Sequence, residues 1–444
     1  MPGTFTSTSP ACSRTLTRRR TSGAWRRRSP VASASCPLDR AQYPIIERRV
    51  GRDGTCPLVY LDSAATALVP DSVIEAHGRF LRTSCANIHR GAHRLAEEAT
   101  DAFESAREHV AAFFGVDEPE HVVLTHGATE SLNLAALGWA AHHLVPGDLA
   151  VVAADNHHSN LVPWQMLAER QGLCLAWLPL TPEGLLDEEA WASLAEQEPK
   201  LVALCQQSNV LGFRQPALAR IATEARAAGA MVVMDGAQAA GHEPVDFAAL
   251  GADFYAVSAH KMGGLTGVGA LLCSPRAFAG LQPVYGGGGM AARVGADGWR
   301  AVPGPEAYEA GTPPIAAAAA WSAALDSLEA AGLEAVAAHT CALAERARRA
   351  LGALPGVTVL GQEVEAPFES LVSFAIAGVH PHDVGQALDG WGIMARAGHH
   401  CARPVHDALG ARASVRASFA GYSTREEVDA LVEAVERLAV AREA

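Results

Sequence analysis

The chain of 444 residues is long enough for two domains with substantial cores, and 49% of its residues are hydrophobic and 19% charged. No apolar run is long enough to span a bilayer, so we expect no membrane partner. The nine cysteines show no CxxC pair and no regular spacing. This scatter argues against a disulfide framework and a structural zinc cluster, and it predicts a cytoplasmic protein without a bound metal.

The net charge of −13 is distributed unevenly along the chain. Residues 1–40 hold eight arginines and one acid, a charge of +7, whereas the remaining 404 residues carry −20. An acidic body excludes nucleic acid as the expected partner. The leader has no apolar h-region and is therefore no secretory signal. The preferred prediction is a disordered Arg-rich extension over residues 1–42 or a misassigned start, and an organellar transit peptide stays open as the alternative.

From about Leu58 the sequence alternates short apolar runs with helical patterns. Residues 57–62 predict an extended entry segment, and residues 96–115 predict an amphipathic helix with early acids and a terminal glycine. A strand over 121–125 and a helix over 127–144 follow. The further predicted strands are LAVVA (149–153), 201–205, 231–235, 253–258 and 268–273.

Buried apolar strands separated by helices predict an α/β fold with a mainly parallel sheet covered on both faces. We assign this large domain to residues 58–316. After Ala316 the pattern changes to long helices over 317–355, then short strands, a helix from His382 and the strand region 413–419. These features predict a smaller α/β domain formed by residues 43–57 and 317–444.

Two charged residues stand at the ends of predicted strands. Asp235 ends a buried strand, where an acid needs a cationic partner, and Lys261 follows another strand in SAHKMGG. Separately, a helix cap and a solvated loop charge would explain them. Together they match pyridoxal phosphate, which requires a lysine for its Schiff base and an acid for its pyridine nitrogen. A phosphate cradle is available in HGATE, a glycine turn with Thr129 at a helix N-terminus.

At this point the chain from about Tyr43 to its C-terminus resembles the class V aminotransferase family, and within it the group II (SufS-like) cysteine desulfurases. The matching segments occur in the family's order over nearly 400 residues. They are YLDSAAT, ANIHRGAH, NHHSNLVPWQ, QSNVLG, DGAQA, DFYAVSAHKMGG, YEAGTP, RAGHHCARP and VRASFAGYST. RAGHHCARP is the most specific of them, because in group I the cysteine lies in a longer loop.

The resemblance implies fold type I of the pyridoxal phosphate enzymes, with a seven-stranded sheet in the large domain, and a site for pyridoxal 5'-phosphate. Lys261 would form the Schiff base, and Asp235 would pair with the pyridinium nitrogen. Thr312 would reach the phosphate of a neighbouring subunit, which implies a homodimer. The other implied cofactor contacts are Gln238 to the phenolic oxygen, His157 stacked on the ring, and Ala128, Thr129, Ser258 and His260 at the phosphate.

The resemblance also implies the reaction, a desulfuration of L-cysteine to L-alanine with catalytic roles for Lys261, Cys401 and His157. Arg416, assisted by Asn209, would bind the substrate carboxylate. Cys401 would accept sulfur as a persulfide, since the thiolate is the nucleophile. Its basic neighbours Arg396, His399, His400 and Arg403 are expected to favour that thiolate. A zinc site at the His-His-Cys run is the alternative, but adjacent residues rarely converge on one metal.

Several positions depart from the family's pattern. Ala128 replaces a frequent hydroxyl residue, Phe213 and Arg214 replace small or polar residues, and Leu265 replaces a frequent proline. The loop 286–298 is unusually rich in glycine. These departures lie at the rim of the expected site, so they concern substrate range and partner choice more than the cofactor.

The predicted function is therefore sulfur supply from L-cysteine for iron–sulfur cluster assembly. A selenocysteine lyase or a sulfur donor for a specialised pathway is the alternative, and a non-enzymatic scaffold is a third. In some group II enzymes a histidine at the His382 position takes over a zinc ligand from a zinc-bound sulfur acceptor. The resemblance thus implies a sulfur-acceptor protein, with a zinc-containing one as an option, although solvated histidines at a helix start would explain His380 and His382 equally.

Overall fold

The computed structural model describes residues 36–366 and 369–443, so most of the predicted Arg-rich extension lies outside the described residues. The helices are α1 (Asp71–Thr83), α2 (Arg94–Phe113), α3 (Ala128–Leu134), α4 (Ala141–His143), α5 (Val162–Gln171), α6 (Glu188–Ala195), α7 (Leu218–Ala227), α8 (Pro275–Gly280), α9 (Ile315–Ala331), α10 (Leu333–Gly352), α11 (Pro381–Gly390), α12 (Arg403–Ala408) and α13 (Arg425–Glu443). Among the described helices, none has the length and apolar character that crossing a bilayer requires.

The strands are β1 (Arg49–Val50), β2 (Cys56–Pro57), β3 (Val59–Tyr60), β4 (Val122–Thr125), β5 (Leu149–Ala153), β6 (Cys174–Leu178), β7 (Leu201–Cys205), β8 (Met231–Asp235), β9 (Phe254–Ser258), β10 (Gly269–Cys273), β11 (Ala291–Gly295), β12 (Gly298–Ala301), β13 (Val357–Val359), β14 (Leu371–Ile376), β15 (Ile393–Met394), β16 (Arg396–Gly398) and β17 (Ser414–Ser418). Short 3-10 turns occur at Arg40–Gln42, Pro44–Glu47, Pro119–His121, His158–Asn160, Ala259–Lys261 and Pro305–Tyr308.

The main sheet has seven strands in the order β4-β10-β9-β8-β7-β5-β6. All neighbouring strands are parallel except β10, which runs antiparallel to β4 and β9. The predicted α/β fold with a mainly parallel sheet is thereby confirmed. Sequence analysis located six of the seven strands and missed β6, because this edge strand is only partly buried and contains no β-branched residue.

The helix expected over 127–144 is interrupted. It consists of α3, a π-helical turn over Ala135–Ala140, and α4. The amphipathic helix expected over 96–115 is observed as α2, with Ala99, Phe103 and Val110 fully buried. That face packs against α9, so the apolar stripe predicts the contact correctly.

A second sheet has four antiparallel strands in the order β13-β14-β17-β16. Its core contains residues of α10, α11 and α13, such as Leu343, Leu388 and Leu431. The strand β15 pairs in parallel with β3, so the chain near residue 59 lies beside residues 393–394. The division into a 58–316 domain and a smaller domain stays a prediction; the seven-stranded and four-stranded sheets each lie within one of the two regions, whereas the β3–β15 pair joins them.

Residues 36–42 differ from the predicted extension, because they contact the rest of the described chain. Leu38 is 8% exposed, and its N–H donates to the Gly421 carbonyl (3.2 Å). Arg40 forms an ion pair with the mostly buried Glu427 (3.0 Å). Burial raises the pKa of Glu427 and Arg40 opposes this shift, so the pair stabilises an otherwise costly carboxylate. Residues 36–42, which the prediction placed in the extension, are therefore held against the rest of the described chain.

This contact leads to a prediction for truncated chains. A chain that begins at Ser35 should keep the thermal stability of the full chain, whereas one that begins at Ala41 loses Leu38 and Arg40. We expect the second to be less stable by about 2 kcal/mol or more, from one buried leucine and an unpaired buried acid. Thermal unfolding should show a melting temperature lower by a few degrees. Equal melting temperatures for both truncated chains would contradict this prediction.

Candidate active site

The polar residues that sequence analysis singled out lie along one edge of the seven-stranded sheet. Asp235 is the last residue of β8, and Lys261 ends the 3-10 turn that follows β9. Ser258 ends β9, and Thr129 lies in α3 just after β4. All three strands run in the same direction, so the carboxyl ends of β4, β8 and β9 meet at this edge, where open α/β sheets bind their ligands.

Four charged or nucleophilic side chains act on one another at this edge. Burial lowers the pKa of Lys261 to about 8. Asp235 and Cys401 act against that shift, whereas Arg416 adds to it. An amine, a carboxyl, a guanidinium and a thiol from four separate segments therefore lie close enough for the last three to influence the charge of the first.

Asp235 is 7% exposed and is held by the turn that follows it. The Ala237 N–H donates to Asp235 Oδ1 (2.9 Å). Burial raises the pKa of Asp235, and Lys261 opposes this shift. Gln238, in the same turn, donates from Nε2 to the Ala64 carbonyl (2.9 Å). The turn needs glycine at 236, because a Cβ there would lie 1.9 Å from the ring of Tyr255.

His157 follows β5 and begins the 3-10 turn His158–Asn160, where its Nδ1 accepts from the Ser159 N–H (3.1 Å). Burial, Lys261, His158 and Arg416 lower the pKa of His157 to about 3. The imidazole is therefore neutral at pH 7 and presents an uncharged flat ring close to Lys261. An uncharged ring is suited to stacking on another aromatic system.

At the side of the site that is expected to bind the phosphate, two pairs of polar groups lie within hydrogen-bond distance of each other. The Ala128 N–H donates to Ser258 Oγ (2.8 Å), and Thr129 Oγ1 lies 2.8 Å from Ser159 Oγ. Gly127 has φ 141°, and an added Cβ would lie 3.2 Å from Ser258 Oγ. A side chain at position 127 would therefore crowd Ser258, and glycine leaves the backbone at the start of α3 uncovered by a side chain of its own.

The His260 ring lies beside the Thr66 hydroxyl. Its Nδ1 lies 3.0 Å from Thr66 Oγ1, and burial together with Lys261 lowers the pKa of His260 to about 4. The neutral ring can donate or accept a hydrogen bond but carries no charge toward an anion. Thr66 was not singled out from the sequence, although it belongs to the quoted YLDSAAT segment.

Arg416 in β17 is 2% exposed and only partly paired. Its Nη1 donates to the Asn209 carbonyl (2.9 Å), and its Nη2 lies 3.8 Å from Asp62 Oδ1. Its Nε has no hydrogen-bond partner among the described residues, and neither has Asn209 Oδ1. Burial lowers the pKa of Arg416 to about 10, so it stays a cation at pH 7. A buried guanidinium with a free N–H is a ready carboxylate ligand.

Asp62 is a site residue that sequence analysis missed. Its carboxylate accepts two hydrogen bonds from Arg396, at 3.0 and 2.9 Å, and faces Arg416 as well. The acid thus orients two arginines on neighbouring strands. The signal was present in YLDSAAT, but the pairing depends on β16 and β17, which lie more than 330 residues away.

Cys401 lies in the loop after β16 and is exposed. Both His400 and Cys401 have positive φ, 53° and 56°, a conformation that non-glycine residues rarely adopt. The Cys401 carbonyl accepts from the His158 N–H (2.7 Å), and the Arg403 N–H donates to His158 Nε2 (3.3 Å). The loop that carries the thiol is therefore bound to the segment that carries His157.

The expected source of positive charge at Cys401 is partly wrong. His400 is 8% exposed, and its Nε2 lies 2.9 Å from the buried Ser414 Oγ. Burial and Arg416 lower the pKa of His400 to about 2, so it is neutral at pH 7. The cations whose pKa values respond to Cys401 are Lys261, Arg396 and Arg416. Lys261 and Arg416 are buried and come from other segments, whereas Arg396 is one of the expected neighbours and is exposed at the start of β16; the His400 side chain instead turns into the core.

Thr312 lies apart from this cluster. It is exposed in the segment just before α9, and within the described part of the chain no hydrogen bond joins it to Lys261, Asp235 or Ser258. All other sequence-predicted residues lie in the segments described above.

Comparison with known proteins supports one family. The family model "Aminotransferase class-V" matches residues 59–431. A probable cysteine desulfurase of Streptomyces coelicolor is 43% identical over 403 residues, which cover 90% of this chain and 96% of that protein. A probable cysteine desulfurase of Vibrio cholerae is 42% identical over 398 residues, which cover 90% and 97%.

Solved structures agree with this result. The apo cysteine desulfurase of Thermococcus onnurineus NA1 is 37% identical with a TM-score of 0.84, over 90% of this chain and 97% of that chain. The cysteine desulfurase CsdA of Escherichia coli, in an S-sulfonic acid form, is 39% identical with a TM-score of 0.82, over 91% and 98%. With a family model that spans most of its length and relatives of this similarity, the chain belongs to the class V aminotransferase family.

Proposed function

We propose that this chain is a pyridoxal phosphate-dependent cysteine desulfurase that converts L-cysteine to L-alanine and receives the sulfur on Cys401 as a persulfide. The observation that carries the proposal is the placement of Asp235 and Lys261 at the ends of the neighbouring strands β8 and β9, with Asp235, Arg416 and Cys401 all acting on Lys261. The names of its relatives, which include cysteine desulfurases at 37–43% identity, support the same reaction.

The residues present fit pyridoxal phosphate. Lys261 supplies a buried amine, Asp235 a buried carboxyl, and the start of α3 a glycine with the Ser258 and Thr129 hydroxyls beside it. When bound, the cofactor supplies an electron sink that acidifies the α-proton of an amino acid. The residues proposed to hold it are Lys261, Asp235, Gln238, His157, Ala128, Thr129, Ser258 and His260, with Thr312 from a second copy.

Lys261 is the proposed base. A pKa of about 8 leaves part of the amine population neutral near pH 7, whereas an ordinary lysine would be almost fully protonated. Its Nζ can then take the α-proton of the substrate and return a proton to the product. His157, neutral over the same pH range, would hold the plane of the reacting group without competing for the proton.

Arg416 and Asn209 are the proposed carboxylate ligands. Arg416 Nη1 donates to the Asn209 carbonyl, whereas Arg416 Nε has no partner among the described residues. The guanidinium edge that contains Nε is therefore available to a carboxylate. Because the pair is buried, water does not compete, and the substrate is oriented with its thiol toward Cys401. An arginine is preferred over lysine here because its planar fork fixes orientation.

Cys401 is the proposed sulfur acceptor. Its Sγ attacks the substrate sulfur, so an S–S bond forms while the bond between Cβ and sulfur breaks. The electron pair of the broken bond stays with carbon, which takes up a proton to give alanine. The balanced result is alanine and a Cys401 persulfide, formed beside the cations Lys261, Arg396 and Arg416.

Measurement of alanine formed from L-cysteine tests the proposed function most directly. The purified holoenzyme should release alanine, and sulfide should follow when a reductant is present. The alternative, a selenocysteine lyase or another class V enzyme, is separated by Cys401→Ser, because cleavage of selenocysteine need not require this thiol. Alanine from selenocysteine only, in both wild type and variant, would replace the desulfurase proposal by the lyase.

Further proposals concern the setting of the reaction. We propose iron–sulfur cluster assembly as the destination of the sulfur and the cytoplasm as the compartment, which agrees with eight free thiols in the described chain. We also propose a homodimer, because the resemblance implies that Thr312 reaches the phosphate of a neighbouring subunit, and Thr312 is exposed and so accessible to a second copy.

His382 gives a prediction about the sulfur acceptor. His380 caps α11, its Nδ1 accepts from the His382 N–H (3.3 Å), and the two exposed imidazoles stack with centroids 5.4 Å apart. A neutral imidazole on the surface is a good zinc ligand. With a zinc-containing acceptor protein, His382→Ala should lose the acceptor's stimulation of alanine formation while keeping the rate without acceptor. Equal stimulation of wild type and variant would reject this role and favour an acceptor thiol without zinc.

A further inference from the structure

The segment 206–215, called here the 206–215 loop, joins β7 to α7 and carries Asn209. Asn209 Nδ2 donates to the His400 carbonyl (2.6 Å), and the Asn209 carbonyl accepts from Arg416 (2.9 Å). One residue of the loop therefore contacts both the proposed carboxylate ligand and the loop that presents Cys401. Any shift of the 206–215 loop would displace both.

The middle of the loop is embedded in the core of the four-stranded sheet. Phe213 is fully buried there. A Cβ added at Gly361 would lie 2.8 Å from the Phe213 ring, and one added at Gly212 would lie 2.4 Å from the Leu371 carbonyl. The Glu369 N–H also donates to the Gly212 carbonyl (2.7 Å). The loop thus has no room to adjust on this side.

The ends of the loop are joined through Arg214. This arginine forms an ion pair with Glu243, and its Nε lies 3.7 Å from Glu369. Glu243 also accepts from Gln206 Nε2 (2.6 Å), and Gln206 accepts from the buried Tyr255 hydroxyl (2.6 Å). Glu243 therefore connects the first residue of the loop with its ninth.

The two acids depend on this single arginine. Burial and Glu243 raise the pKa of Glu369 to about 8, whereas Arg214 opposes the shift. Burial also raises the pKa of Glu243, again opposed by Arg214. With a pKa of about 8 Glu369 is already largely protonated at pH 7, so the loss of Arg214 would leave the Glu243 carboxyl without its cation and the segments of Glu243 and Glu369 without the group that joins them.

We propose that Arg214 is a positioning residue that holds the 206–215 loop so that Asn209 and Arg416 present a fixed carboxylate site. The proposal deepens the proposed function and rests on it. The arginine contacts neither Lys261 nor Cys401 in the described structure, so it acts on substrate binding through Asn209. Phe213 fixes the loop from the opposite side.

Steady-state kinetics of Arg214→Gln test the proposal. We expect the KM for L-cysteine to rise about tenfold while kcat changes less than about threefold, the pattern of lost binding with intact chemistry. Arg214→Lys should recover most of the loss, because it restores a cation between the acids. Arg220→Gln is the matched control, since Arg220 also joins two glutamates but lies exposed on α7. It should leave both constants unchanged.

A charge exchange gives a sharper test. Arg214→Glu should be worse than Arg214→Gln, and Arg214→Glu combined with Glu243→Arg should recover part of the KM, because one arginine again lies between two acids. If Arg214→Gln lowered KM and kcat together, and neither Arg214→Lys nor the charge exchange restored them, the positioning role would be overturned. A purely structural role for Arg214 would then remain.

The failure of this proposal and that of the proposed function are distinguishable. Hydrogen exchange in residues 206–212 does not depend on turnover and should accelerate in Arg214→Gln but not in Arg220→Gln. If L-cysteine gives no alanine with the wild type, the proposed function fails, and faster exchange would still support the loop's dependence on Arg214. If wild type is active and Arg214→Gln has an unchanged KM and unchanged exchange, only the positioning role fails.

Discussion

Replacing Lys261 with alanine is expected to abolish alanine formation from L-cysteine, by at least about a thousandfold, and to remove the visible absorption of bound cofactor. The physical reason is that the chain has two lysines, and only Lys261 lies at the carboxyl edge of the sheet with Asp235 acting on it. An amine is needed both to hold the cofactor covalently and to move the α-proton.

The matched control is Lys200→Ala. Lys200 is exposed where the chain enters β7, so its removal should leave colour and turnover unchanged. Absorption spectra and alanine assays on both variants decide the assignment. A colourless Lys200→Ala beside a yellow, active Lys261→Ala would invalidate the whole site.

The pH dependence of cofactor uptake follows from the same lysine. The neutral amine is the reactive form, and with a pKa of about 8 it makes up about 10% of Lys261 at pH 7 but most of it above pH 9. The rate of cofactor uptake by the apoprotein should therefore rise with pH and level off near pH 9. A lysine with an ordinary pKa would continue to gain rate to beyond pH 10.

The sequence predicts this site well because the ends of buried strands can be recognised in a sequence. Asp235 and Lys261 follow compact apolar runs, and parallel strands bring such ends to one edge whatever the loops do. The buried face of α2 can also be predicted, because apolar residues recur along the helix at a regular spacing that determines which side is buried. The edge strand β6 escaped because partial burial removes the uninterrupted apolar signal.

What the sequence did not provide is the direction of individual side chains. His400 stands beside Cys401 in the chain, yet its ring binds Ser414 in the core and is uncharged at pH 7. Asp62 orients Arg396 and Arg416 across more than 330 residues, a pairing that no local pattern encodes. Charge effects at a site depend on such tertiary contacts, so adjacency in sequence is a poor guide to them.

The same limitation applies to the N-terminal boundary. Residues 36–42 show no periodic apolar pattern, but Leu38 and Arg40 find specific partners in Gly421 and Glu427. Two contacts are enough to order a short segment when one of them satisfies a buried acid. Pattern and composition average over such single residues and therefore do not predict these contacts.

Replacing Cys401 with serine is expected to lower alanine formation from L-cysteine by at least about a hundredfold, while cofactor absorption and the spectral change on adding L-cysteine are retained. Serine keeps the size of the side chain and the positive φ of the loop, but its hydroxyl is not ionised near pH 7 and is a poor acceptor of sulfur. Lys261, Asp235 and Arg416 are unchanged in this variant. Binding should therefore survive when sulfur transfer does not.

Peptide mass spectrometry after treatment with L-cysteine locates the transferred sulfur. In the wild type the added sulfur atom should be on the peptide that contains Cys401, and in Cys401→Ser it should be absent from every cysteine peptide. Cys85 and Cys174 are also exposed and are the thiols most able to capture sulfur nonspecifically, whereas Cys205 and Cys273 are buried. Cys174→Ser is thus the matched control and should behave as the wild type. Added sulfur on Cys85 or Cys174 with none on Cys401, in an enzyme that still forms alanine, would show that the loop thiol is not the acceptor.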